Sequence, residues 1–268
     1  MTTPNEMGKA LNALQQRNFV EAERLARLLL KRERRNAQAL EVLAESLLGL
    51  GRPDAVLTEL QKRPSDKANP VFLTLLGRAS LDIGKGAEAE RFLKEAVLVV
   101  PSYAPAFVAL SEALSIAGRL SEAVSVLERG VALLPRHPGL SFALAKLLAE
   151  SGDLKASRAI CARLYHGVPQ WPGAALLFAR VLESLGESET AQTVLRDFLG
   201  RNPFTAVARI SLARLALQEG DLDTAMHRLR EVARSAPELT GQAVLTLAES
   251  PRGRLHLRVS KAIESLSG

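Results

Sequence analysis

The chain has 268 residues, enough for one or two ordinary domains, and is 47% hydrophobic but only 4% aromatic. Its single cysteine, Cys161, excludes an intrachain disulfide and a cysteine metal site and fits a reducing, cytoplasmic setting. The formal net charge of +6 is concentrated at the ends, +4 over residues 1–35 and +3 over residues 228–268 against −1 between them, which argues against a nucleic-acid groove along the body.

Residues 1–16 contain Glu6, Asn12 and Gln15 and no apolar run, so a signal peptide is not expected there. No early cysteine follows an apolar stretch, as a lipoprotein anchor would require. No run of about 18 apolar residues exists to span a membrane. Ala, Leu, Arg and Glu dominate, and Val and Ile rarely alternate with polar residues, so the chain is expected to be all-α.

One period then organises the sequence. Gly84, Gly118, Gly152, Gly186 and Gly220 are each 34 residues apart. Ala89, Ala123, Ala191 and Ala225 keep the same step, with Ser157 in the one gap, and so do Pro101, Pro135, Pro169, Pro203 and Pro237. The period divides the chain into units 3–36, 37–69, 70–103, 104–137, 138–171, 172–205 and 206–239. The first unit lacks the proline, and the second is one residue short around Pro53. Glycine supplies a turn conformation that other residues resist, and proline stops the helix before it. Between these stops, Val124, Leu127 and Val131 form one helical face, and Phe107, Leu110, Ser111 and Leu114 form another. The small residue early in the second helix lets the first approach closely. A hairpin this short buries its apolar face only by stacking on its neighbours. After Leu239 the pattern changes. Residues 240–249 read as one more helix, Pro251 to Gly253 break it, and Leu255, Leu257, Val259, Ala262, Ile263 and Leu266 form a last one, so 240–268 is expected to be a C-terminal cap.

The segments AGRLSEAVSVLERGVALLP (117–135), LGESETAQTVLRDFLGRNP (185–203) and EGDLDTAMHRLREVARSAP (219–237) resemble the tetratricopeptide repeat. The resemblance covers nearly the whole chain and implies an α-solenoid, a right-handed superhelix of antiparallel hairpins (helix A, glycine turn, helix B). It also implies that helix-A faces line a groove that binds proteins or peptides. Carried over by position, one groove set is Leu11, Glu45, Arg78, Glu112, Lys146, Arg180 and Arg214. The set one turn earlier is Met7, Glu41, Thr74, Val108, Phe142, Leu176 and Ile210. The early half is acidic or mixed. The late half sets a basic ladder, Lys146, Arg180 and Arg214, beside an apolar one, Phe142, Leu176 and Ile210. That strip suits an extended peptide with acidic and apolar side chains, because Arg makes bidentate contacts to carboxylates. Two family modes are not implied: a Lys/Asn/Arg clamp on a carboxylate terminus, and an asparagine ladder on a peptide backbone. Both need asparagines that the helix-A groove positions of units two to seven lack.

An ordinary surface explains part of the ladder as well. Lys146 has Glu150 four residues on and Arg180 has Glu183 three residues on, whereas Arg214 has no acid within the next turn. No phosphate loop, nucleophile elbow, zinc helix or paired-cysteine motif occurs, the glycines are accounted for by turns, and the four histidines fall at scattered phases. Cys161 stands where other units have Leu93, Leu127, Leu195 and Leu229, which reads as a core position. The expectation is a non-catalytic, cytoplasmic scaffold without cofactor or metal. The alternatives are an accessory module of an enzyme such as a transferase, self-assembly through end units, and nucleic-acid or lipid contact through Lys31 to Arg35 or Arg252, Arg254, Arg258 and Lys261. High Arg and Ala content suggests a GC-rich bacterial genome.

Overall fold

A computed structural model describes residues 4–61 and 69–248. Among the described residues there are fifteen α-helices and no strand. They run in hairpin pairs: α1 (Pro4–Gln15) and α2 (Phe19–Arg32), α3 (Ala37–Gly49) and α4 (Pro53–Gln61), α5 (Pro70–Asp82) and α6 (Gly86–Val99), α7 (Ala104–Ile116) and α8 (Leu120–Leu133). The pairs continue with α9 (Pro138–Glu150) and α10 (Leu154–Gly167), α11 (Pro172–Ser184) and α12 (Ser188–Arg201), α13 (Ala206–Glu219) and α14 (Leu222–Ser235). A 3-10 turn, Pro237–Leu239, leads into α15 (Thr240–Ala248). Two compact units divide between Leu144 and Ala145, inside α9. The final helix expected beyond Pro251, with Arg252, Arg254, Arg258 and Lys261, lies outside the described residues.

The repeated residues do what their chemistry dictates. Every turn glycine from Gly84 to Gly220 has a positive φ, +75° at Gly118, and Gly51 joins them at +67°. Helices α6, α8, α10, α12 and α14 each stop two residues before the repeated proline. Polar caps reinforce several starts: Asn36 accepts from the Ala39 amide at 2.9 Å, and Asp153 from the Ala156 amide at 3.0 Å. A methyl group at Gly118 would meet nothing within 4 Å, so Gly118→Ala isolates the backbone cost of the left-handed turn. The expected loss is about 1–2 kcal/mol in a denaturant titration.

The small slot of helix B is sealed, with Ala89, Ala123, Ser157, Ala191 and Ala225 all at 0% exposure. Ser157 fits because its hydroxyl donates to the Ala145 carbonyl at 2.7 Å. Four residues on, Leu93, Leu127, Cys161, Leu195 and Leu229 fill the hairpin core. Not every glycine is a turn residue, contrary to the sequence expectation. Gly130 is buried inside α8, where an added Cβ would lie 3.0 Å from Phe107 and 3.2 Å from Leu140. A Cβ at Gly77 inside α5 would clash with Leu93. Both absent side chains make room for large ones on neighbouring helices.

Successive repeats are also tied on the surface. The residue after the turn glycine pairs with one 29 positions earlier on helix B. Arg52 meets Glu23 at 3.3 Å, Arg119 meets Glu90 at 2.8 Å, and the charges are reversed in Arg158 with Glu187 at 3.0 Å. Exposed pairs like these are each worth only ~0.2–1 kcal/mol. Their regularity follows from the repeat.

Candidate functional site

In the second unit, helix α11 places Leu176 and Arg180 one turn apart on one face. Leu176 is half-buried and Arg180 is exposed. The neighbouring helix-A element, α13, carries Ile210 and Arg214 at the corresponding positions. Helical spacing alone assigns Glu183 to Arg180 and leaves Arg214 without an acid, and the structure reverses this. Arg214 makes a bidentate ion pair with Glu183, one contact at 2.6 Å, and Gln218 donates to the same carboxylate at 2.6 Å. Burial pushes the Glu183 carboxyl up, but the hydrogen bonds from Arg214 and Gln218 and the Arg214 charge outweigh it and hold the group below its ordinary value. The carboxylate that would neutralise Arg180, on its own helix, is therefore held by Arg214 and Gln218 of α13. Among the described residues no hydrogen bond or ion pair engages the Arg180 guanidinium.

The other members of the expected set differ in their surroundings. Lys146 is exposed and sits 3.8 Å from Glu150, a loose pair within one helix. Phe142 belongs to the first unit, where it is half-buried. Ile210 is not a surface residue. It is 4% exposed and shares a core cluster with Ala243, Val244 and Leu247 of α15, which packs against α13 and covers it. A helix-A face stays open only where the next helix A leaves it so. Cys161 is a core residue, 0% exposed, and burial pushes its thiol up to about 11, which suppresses the reactive thiolate.

The first unit presents different chemistry on its helix-A faces. Glu45 on α3 pairs with Arg78 on α5. One turn before Glu45, burial pushes the Glu41 carboxyl up, the Glu45 charge adds to the effect and the Arg78 charge opposes it. Thr74, one turn before Arg78, is 3% exposed, and its hydroxyl has no hydrogen-bond partner among the described residues. An unsatisfied buried hydroxyl costs about 1–3 kcal/mol. Tyr103 caps the start of α7, and burial followed by the charges of Glu41 and Glu45 pushes its hydroxyl up to about 12. Glu112 on α7 is exposed. At the amino-terminal basic stretch, Arg32 is already engaged with Glu6 at 2.5 Å.

Among the described residues no group of three or more His, Cys, Asp or Glu side chains is placed to hold a metal ion. No helix among them is long and apolar enough to cross a membrane.

Comparison with known proteins matches these features to two family models, both described as tetratricopeptide repeat. One aligns with residues 114–172 and the other with residues 7–70 and 176–239. No curated protein matches the chain. Among solved structures, a thermophilic tetratricopeptide protein of Thermus thermophilus is similar at a TM-score of 0.60 and 22% identity, covering 66% of this chain and 97% of that one. A tetratricopeptide repeat protein from Parabacteroides merdae gives 0.59 at 13% identity, covering 90% and 97%. A chain of the APC/C hetero-tetramer Cut9–Hcn1 gives 0.62 at 15% identity, and its match covers all of this chain but 56% of that one. At these identities the likeness speaks for the fold, an α-solenoid of helical hairpins. With about seven hairpins in tandem and the family models matching along most of its length, the chain belongs to the tetratricopeptide repeat family.

Proposed function

We propose that this chain is a non-catalytic cytoplasmic scaffold that holds a segment of a partner protein against the helix-A face of its second unit. Tetratricopeptide repeat proteins are protein–protein interaction scaffolds, and the finer reading rests on Arg180. A guanidinium left exposed and without an acid among the described residues, beside the half-buried Leu176, suits a ligand that brings a carboxylate and an apolar side chain. Lys146 and Arg214 bring two further positive charges on the flanking helices A. Arg214 is already committed to Glu183, so its role is to keep Glu183 off Arg180 rather than to grip the ligand.

The test is titration of the partner recovered by affinity capture against wild type, Arg180→Ala and a triple variant with Arg32, Arg34 and Arg35 all changed to Glu. A charge-assisted hydrogen bond in a sheltered site is worth ~1.5–3 kcal/mol. Loss of Arg180 should therefore weaken binding at least about tenfold, since ~1.4 kcal/mol is one decade. The melting temperature should hardly move, because the exposed guanidinium makes no hydrogen bond or ion pair among the described residues. The amino-terminal triple variant should bind as wild type. The opposite pattern would move the partner to the basic end.

A further inference from the structure

The Arg180 surface contains a second arginine whose pairing keeps it from a ligand. Arg214 on α13 grips the Glu183 carboxylate of α11 with both terminal nitrogens, one of them at 2.6 Å, and the Gln218 amide donates to the same carboxylate at 2.6 Å. The Glu183 side chain is only 16% exposed, against 41% for Arg214. Arg180 stands three residues before Glu183 on the same helix. Its guanidinium is exposed and makes no hydrogen bond or ion pair among the described residues. Two guanidinium groups and one carboxylate leave this surface with a single positive charge, and it belongs to Arg180.

We propose that Glu183 is the specificity-determining residue of this surface: by occupying Arg214 it admits a ligand with one carboxylate, seated on Arg180, and denies a second carboxylate its place on α13. This rests on the Arg180 face being a ligand site, as proposed above, and narrows the ligand that face takes. Three effects protect the Arg214–Glu183 pair from an incoming acid. The pair is bidentate, and the planar guanidinium has no second fork to offer on that edge. A ligand that took Arg214 would leave the Glu183 charge largely out of water and without its partner, which is costly. The released Glu183 would also lie three residues from Arg180 on one helix face, within reach of it, and would compete with the carboxylate already bound there. A second acid on the ligand therefore works against the first. A segment with one acidic and one apolar side chain gains all that Arg180 and Leu176 can give, and an acidic run gains nothing more from α13.

The experiment uses the full chain with labelled leucine methyls, so that Leu176 reports binding. The probe is the single-acid peptide acetyl-Ala-Ala-Leu-Ala-Glu-Ala-Ala-amide, with two twins in which the first or the last Ala is Glu, to cover both chain directions. Titrations are run at about 0.15 M salt, where surface charges more than about 8 Å apart are largely screened. The wild type should bind the twins no better than the single-acid peptide. Glu183→Gln frees Arg214 and should bind one twin about threefold more tightly than the single-acid peptide, the gain of one partly exposed ion pair. The double variant Glu183→Gln with Arg214→Ala has the surface charge of the wild type and should lose that preference again. The proposal is overturned if the wild type already prefers a twin as strongly as Glu183→Gln does, if Glu183→Gln shows no preference, or if the preference survives the loss of Arg214. Failure of the Arg180 site itself has a different mark, which is single-acid binding that Arg180→Ala leaves intact. Peptides that bind none of the variants overturn both.

Discussion

Replacing Phe107 by alanine should lower the unfolding free energy by about 3–5 kcal/mol, the largest effect expected of any single truncation in the first unit. Phe107 on α7 is 0% exposed. Its ring fills the space left by the missing side chain of Gly130 on α8 and lies beside Leu140 at the start of α9. Three helices of two repeats thus meet at one side chain. Because Gly130 is part of a helix backbone, the cavity cannot close by a rotamer change. Only a shift of α8 toward α7 would fill it, and the turn glycine Gly118 at φ +75° and the cap bond from the Ala123 amide to the Arg119 carbonyl resist that shift. In a solenoid each repeat contacts only its neighbours. Hydrogen exchange should therefore speed up first in α7, α8 and the first turn of α9, and least in α1 and α2. Uniform loss of protection along the chain would show that the ring is not a local tie.

The period is legible in the sequence because its causes are local. A glycine turn, a helix stop before proline and a small residue at a fixed offset act within one hairpin, and each can be read from the residues in place. The same local logic mistakes Gly77 and Gly130 for turn glycines. What marks them is a large residue on another helix, Leu93 for one and Phe107 for the other. The candidate site is legible in position and only partly in pairing. Helical spacing sets Arg180 and Leu176 on one face, but it offers Glu183 to Arg180 because only neighbours three or four residues apart are visible within a single helix. The pairing found is Glu183 with Arg214, 31 residues apart, and its counterpart in the first unit is Glu45 with Arg78, 33 apart. Both distances are one repeat less up to a turn, so opposite charges at that offset on successive helices A are the signal that reveals them. Ile210 escapes a local reading for a related reason. Its burial depends on α15, a helix packed on α13, whereas the residues of α15 taken by themselves look like one part of an end cap.

Enlarging the small slot of helix B should separate packing from propensity. Ala123 is sealed at the α7–α8 crossing with 0% exposure, and Ala132, later on the same helix, is exposed. Ala123→Leu adds three carbons where no space exists, so either α7 and α8 move apart or the new side chain leaves its preferred rotamer. Overpacking of this kind costs about 1–3 kcal/mol. Ala132→Leu makes the identical change in helix propensity but reaches solvent, where surface substitutions stay within about ±0.5 kcal/mol. The difference between the two variants is therefore the packing cost alone. Ser157 shows how narrow the slot's tolerance is: the natural sequence admits one extra atom there, and that atom is tied to the Ala145 carbonyl at 2.7 Å. Ala191→Leu, at the equivalent slot of α12 in the second unit, should repeat the Ala123 result. Denaturant midpoints that fall for Ala123→Leu and Ala191→Leu but not for Ala132→Leu fix the phase of the repeat experimentally. Equal shifts at Ala123 and Ala132 would mean that the helix-B face turned toward helix A has been misassigned, and the helix-A faces that carry Glu41 and Arg180 along with it.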